Sequence, residues 1–155
     1  MKILSKVLLV GLVSISTTSV FADVAQSEKH AIKATELRQS IFSLISSNMG
    51  SLGAMAKGQI PVDATVVEKN ALRINQLSLM LGDYFKTDTS SFNVTTDAKN
   101  SIWTEQDKFA TNIENLTSAS SALMVAAQSK DEGAIKKAIG GVGKTCGGCH
   151  DDFRD

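Results

Sequence analysis

Proline is nearly missing from this chain. Pro61 is the only one in 155 residues, so long helices have almost nothing to break them. Cysteine is as sparse: Cys146 and Cys149 are the whole complement, which leaves no separate disulfide framework. An excess charge of either sign is lacking too, because 16 Lys and Arg balance 16 Asp and Glu. That balance offers no electrostatic footprint for a nucleic acid or an acidic lipid surface as partner. No repeat, low-complexity tract or linker divides the sequence, and no apolar run is long enough to span a bilayer.

What is present begins with an export signal. Lys2 and Lys6 precede the apolar residues 7–13, and Val20, Phe21 and Ala22 follow, which predicts a signal peptide over residues 1–22. Cleavage after Ala22 would release residues 23–155 into the periplasm as one domain with no membrane insertion. Two Asn-x-Thr sequons, at Asn93 and Asn115, matter only in a host that glycosylates exported proteins, and are read as chance.

Hydrophobic periodicity predicts four helices. The first runs over about residues 27–57 from an N-cap at Ser27, with Ile41, Leu44, Ile45, Leu52 and Met55 as its stripe, and Gly58 and Pro61 end it. The second follows Asp63 and reaches about Asp83, carrying Val67, Ala71, Ile74 and Leu81. Residues 86–100, rich in Thr, Ser, Asp and Asn, read as a crossover loop that Ile102 and Trp103 anchor. A third helix is expected from near Thr104, capped through Asp107, to about Gln128, with Phe109, Ile113, Leu116, Leu123 and Ala127 facing inward. Residues 129–132 fit a capping box for the fourth, whose stripe is Ile135, Ile139, Val142, Cys146 and Cys149. The expected fold is all-α, an antiparallel four-helix bundle with one longer connection between its second and third helices.

The fourth helix ends on Cys146-Gly147-Gly148-Cys149-His150. Cys-x-x-Cys-His is the attachment motif of haem c: both thiols form thioethers with the porphyrin edge, and the histidine ligates the iron. On a helix, Cys149 and His150 follow Cys146 at i+3 and i+4, so one face holds the ring edge and the metal together. A bare Cys-x-x-Cys also suits a redox dithiol or half a zinc site. No second such pair completes a zinc site, and no strand-rich pattern supports a thioredoxin-like setting. An exported location suits haem attachment.

Five glycines fall within residues 140–148, each costing up to about 1 kcal/mol inside a helix. Either other contacts hold the helix, or the missing side chains let a flat macrocycle approach the backbone. Both readings stand.

The C-terminal residues 142–154, the segments 37–42 and 49–58, Pro61 and the Ile102-Trp103 pair resemble the cytochrome c′ family, class II c-type cytochromes. The resemblance covers essentially all of residues 23–155. It implies a four-helix bundle, often a homodimer through the first two helices, with one haem c of pentacoordinate iron attached through Cys146 and Cys149. His150 would be the proximal ligand, and Arg154 matches the basic residue beside it. Spacing agrees in placing Cys146, His150 and Arg154 at i, i+4 and i+8. Arg38 and Gln39 would lie near the haem propionates, and Phe42 would occupy the bulky apolar site over the distal iron face. Phe153 stands where many relatives have tyrosine. Alternatively, Phe42 is ordinary core, and Arg38 and Arg154 are solvated surface cations.

The sixth coordination position decides the chemistry. His30 lies about three turns before Phe42, roughly 18 Å along the axis, too far to ligate the same iron. Met49, Met55, Met80 and Met124 are chemically able, yet fall in or near apolar stripes where methionine usually fills core. Phenylalanine cannot ligate iron. Two function classes follow: binding of nitric oxide or carbon monoxide at an apolar distal face, and Fe(III)/Fe(II) electron transfer with a redox partner. The alternative is a low-spin six-coordinate cytochrome with a Met sixth ligand, acting purely as an electron carrier. Enzymatic function is not expected, since no general acid or base is placed beside the distal face.

Overall fold

A computed structural model describes residues 23–155; the export signal expected over residues 1–22 lies outside the described residues. The elements in order are β1 (Asp23–Val24), α1 (Glu28–Ala56), α2 (Ala64–Tyr84), β2 (Thr87–Asp88), α3 (Ser101–Thr104), α4 (Gln106–Ser129) and α5 (Glu132–Phe153). The four long helices are those expected from periodicity.

Local chemistry sets most of their ends. Ser27 caps α1, its hydroxyl accepting from His30 N at 3.2 Å. At the other end Gly58, at φ 70°, takes a left-handed conformation that lets Gly58 N donate to Met55 O and Gln59 N to Ala54 O. The Asp63 carboxylate accepts from Thr65 N and Val66 N to start α2. The third long helix departs from expectation. Glu105 leaves the helical region at φ −119° and ψ 47°, splitting the one-turn α3 from α4, and no side chain caps α4. Asp107 therefore sits in the first turn of α4 and is not its cap. The capping box at residues 129–132 also shifts. Asp131 caps α5 by accepting from Ala134 N at 2.7 Å, while Ser129 belongs to α4 and Lys130 turns the chain at φ 59°.

Each helix buries the stripe that its sequence marks. Ile41, Ile45, Leu52 and Met55 of α1 join Val67, Ala71, Ile74 and Leu81 of α2. Phe109, Leu116, Leu123 and Ala127 of α4 meet Ile135, Ile139 and Val142 of α5. Leu44 is the exception, 54% exposed, because its position lies off the packed face of α1. The helices pack in a ring, α1 on α2, α2 on α4, α4 on α5 and α5 on α1, with the last contact the thinnest. The bundle is antiparallel, and its core leaves space between α1 and α5.

The crossover closes that space at one end. The Trp103 indole donates to Phe85 O at 3.1 Å, and Ile102 is buried, so the two anchors expected of this loop hold it. β2 pairs in parallel with β1, which brings Asp23 and Val24 onto the loop. At its far end, Lys99 N donates to Phe153 O and Asp155 N to Asp97 O, both at 2.9 Å, and tie the loop to the C-terminus.

Candidate haem site

A cleft of about 620 Å³ opens between α1, α4, α5 and the crossover. Its size suits a cofactor. Cys146, Cys149, His150, Arg154, Arg38, Gln39 and Phe42 all line it, although they come from opposite ends of the sequence.

On α5, Cys146 and Cys149 are half-buried beside the core, and His150 is exposed at the cleft edge. Burial pushes the Cys146 thiol up, and pushes Cys149 up to about 11, with Cys146 and Asp152 adding to the shift. A redox dithiol needs the opposite, a thiolate stabilised at neutral pH. Among the described residues, no three His, Cys, Asp or Glu side chains converge on a possible metal site. A lone imidazole next to two thiols fits iron whose four in-plane ligands come from a porphyrin. Gly143 also lines the cleft, and a Cβ added there would meet no atom within 4 Å, so the backbone is open to a flat ring.

Arg154 corrects the i+8 expectation. α5 ends at Phe153, and Arg154 turns to extended backbone at φ −127° and ψ 137°. It forms an isolated antiparallel bridge with Ala98, and its guanidinium donates to Asp97 Oδ2 at 2.9 Å. It reaches the cleft from the crossover side, rather than along the Cys146 and His150 face.

Arg38 has the most elaborate setting, one no local pattern announced. It is 5% exposed; Nε donates to Tyr84 O at 2.9 Å, Nη1 to the buried Thr89 hydroxyl at 3.1 Å, and Nη2 to Thr87 O. Its Cζ lies 4.8 Å from the Phe85 centroid and 5.2 Å from that of Trp103. Burial pulls this guanidinium down to about 10, with Asp88 opposing, so it stays charged at neutral pH. Three of its five N–H groups are used here. Gln39, exposed, donates to Thr95 O at 3.0 Å.

Phe42 is 40% exposed, too open for ordinary core, and leans edge-on against Phe85 with centroids 6.1 Å apart. The contact extends as a row of rings, Phe85 to Phe109 at 4.7 Å and Phe109 to Phe153 at 5.2 Å. This apolar wall, made of residues distant in sequence, was not legible beforehand. His30 stays at the N-terminus of α1, its Nδ1 accepting from Gln26 N. Among the described residues, Met49 is the one methionine on the cleft wall; Met55 is buried in the core, and Met80 is 38% exposed.

Residues 33–154 match the family model described as cytochrome C′. Cytochrome c′ of Cereibacter sphaeroides is 36% identical over 135 residues, covering 86% of this chain and 88% of that protein. The crystal structure of cytochrome c′ from Rubrivivax gelatinosus superposes with a TM-score of 0.73 at 34% identity, covering 81% of this chain and 97% of that one. A nitric oxide complex of a cytochrome c prime variant from Alcaligenes xylosoxidans gives a TM-score of 0.72 at 29% identity, covering 81% and 95%. With the attachment motif on the last helix and a cleft of matching size beside it, the chain belongs to the cytochrome c′ family, c-type cytochromes that carry one covalently attached haem.

Proposed function

We propose that this protein is a periplasmic cytochrome whose five-coordinate, high-spin iron binds nitric oxide or carbon monoxide at the distal face and exchanges electrons with a redox partner. The observation that carries this reading is that Phe42 on α1 lines the same cleft as His150 on α5 and presents a half-open apolar ring there. The bound haem supplies an open coordination position and the Fe(III)/Fe(II) couple.

The chain's own residues do the rest. Cys146 and Cys149 would hold the ring edge against α5, and His150 would supply a nitrogen to the iron. Phe42 would cover the iron face away from His150, leaving room for small uncharged ligands, and its ring has no group that could hydrogen-bond to one. Gln39 and the two unused N–H groups of Arg38 serve the haem carboxylates, and Arg154, steered by Asp97, stands beside the proximal histidine. The titration of Phe42 bulk is direct: Phe42→Ala should speed carbon monoxide association to the ferrous protein about tenfold, equivalent to about 1.4 kcal/mol of barrier. Flash photolysis measures it, and an unchanged rate would remove Phe42 from the distal face.

The second reading, a low-spin electron carrier with a methionine as sixth ligand, meets an obstacle in the helix register. Met49, the one methionine among the described residues that lines the cleft, stands seven residues after Phe42, about 10 Å along the helix axis and too far to ligate an iron beneath Phe42.

The partner face of the proposed homodimer is the outer surface of α1 and α2. Leu37 and Leu44 lie two turns apart on α1, Leu72 and Leu79 two turns apart on α2, and all four are exposed. Leu72→Glu with Leu79→Glu should convert the dimer to monomer in sedimentation velocity. A wild type that sediments as a monomer would dispose of the interface.

A further inference from the structure

A second cavity, of about 420 Å³, adjoins the haem cleft. It lies between the end of α2, at Gly82 and Lys86, and the start of α4, at Gln106 and Ala110. Phe85, Ile102, Phe109 and Ile113 line both spaces, so a wall one side chain thick divides them.

The polar groups around this cavity are largely spent on the protein. The Trp103 indole lines it, and its N–H donates to Phe85 O at 3.1 Å. At the rim the Lys86 ammonium pairs with Asp83 at 2.6 Å, and the Gln106 carboxamide donates to Trp103 O at 3.3 Å. Asp107 at the rim is exposed. The floor is therefore made of rings and isoleucines with no unspent donor, which suits a small uncharged occupant and not a polar one.

Its position says where such an occupant would go. Phe85, in the shared wall, is the ring on which Phe42 leans, and Phe109 packs edge-on against Phe85 with centroids 4.7 Å apart. The wall thus ends at the side chain proposed to cover the iron. An attached haem would fill the cleft beside α1 and α5, so a ligand bound for the iron needs an approach that the ring does not block. A diatomic gas is small enough to pass a wall one side chain thick on rotamer motions alone.

We infer that the second cavity is an entry route for gaseous ligands, a docking site from which nitric oxide or carbon monoxide crosses the wall of Phe85, Phe109 and Ile113 to the Phe42 side of the haem. The inference rests on the proposed gas binding, and the test separates the two.

Ala110 and Gly82 line the second cavity but not the haem cleft, and both are exposed. Ala110→Trp in the holoprotein fills the cavity from α4 without reaching the cleft. Flash photolysis of its ferrous carbonyl form should show bimolecular association slowed about tenfold, with the reduced spectrum and Tm of the wild type, while Ala110→Ser keeps the wild-type rate. Should the tryptophan variant fail to fold, Gly82→Leu carries the same expectation from α2, where an added Cβ meets nothing within 4 Å. Xenon settles in apolar cavities, so crystals of the wild-type holoprotein under xenon pressure should hold it beside Trp103 and Phe109. A folded filling variant that takes up carbon monoxide at the wild-type rate would overturn the route, as would a cavity without xenon. A wild-type ferrous protein that binds no carbon monoxide would overturn the gas-binding reading itself, and the route with it.

Discussion

A chain carrying Cys146→Ala and Cys149→Ala is expected to lose covalent haem and, with it, the order of the C-terminal half of α5. The reason lies in what holds that helix. Ile135, Ile139 and Val142 anchor its first half, and Phe153 its end, all at most 4% exposed. Between them lie Gly143, Gly147 and Gly148, and added Cβ atoms at these positions would touch nothing. With Gly140 and Gly141 included, the glycines cost roughly 4 kcal/mol relative to alanine. Two thioethers and a bond from His150 to the iron would offset that cost by fixing one helix face to a rigid ring. Amide hydrogen exchange should therefore show protection retained over residues 135–142 and lost over 143–151. Native-like protection across residues 143–151 without haem would mean that the protein packing alone holds the helix.

The second large effect concerns Arg38. Replacing it with methionine keeps much of the apolar stem and removes the guanidinium, leaving Tyr84 O, Thr87 O and the Thr89 hydroxyl without their donor. Leaving buried acceptors unpaired costs about 1–3 kcal/mol each, though not additively, so a loss of about 3 kcal/mol is expected, or ~10 °C in Tm for a domain of this size. Lysine should not rescue it, because one ammonium cannot reproduce the planar fork that also stacks on Phe85 and Trp103. The damage should concentrate at the start of the crossover, residues 84–89, and show as faster local hydrogen exchange. A variant with wild-type Tm and wild-type exchange there would show that the crossover is held by β1 and Trp103 without Arg38.

These two sites also mark the boundary of what could be read from the amino-acid order. The four helices, the cap at Ser27, the start of α2 after Asp63 and the attachment motif are local signals: a period, a hydroxyl three residues before the amide it accepts from, a fixed spacing. They were legible because cause and effect lie within a few residues. The clasp of Arg38 joins residues 46 to 51 positions apart, and nothing local to Arg38 signals which carbonyls will surround it. Arg154 failed the helical extrapolation for a related reason. Its backbone pairs with Ala98, and that pairing ends α5 one residue earlier than a continued helix would. Glu105 interrupts the third helix although no glycine or proline stands there, and Asp107, well spaced for a cap, is displaced from that role by the break. The cleft itself follows from tertiary packing, since α1 and α5 meet less extensively than the other neighbours. The family resemblance nevertheless named seven residues, and all seven line it.

The proposed coordination state is what the function hangs on: an open sixth position beneath Phe42 in one outcome, a methionine ligand in the other. The ferrous holoprotein's absorption spectrum, recorded before and after addition of carbon monoxide, separates them. Five-coordinate iron beneath Phe42 predicts a high-spin reduced spectrum that converts to a low-spin carbonyl form. A reduced spectrum that is already low-spin and unmoved by carbon monoxide would contradict the account, and would assign the sixth position to a methionine thioether.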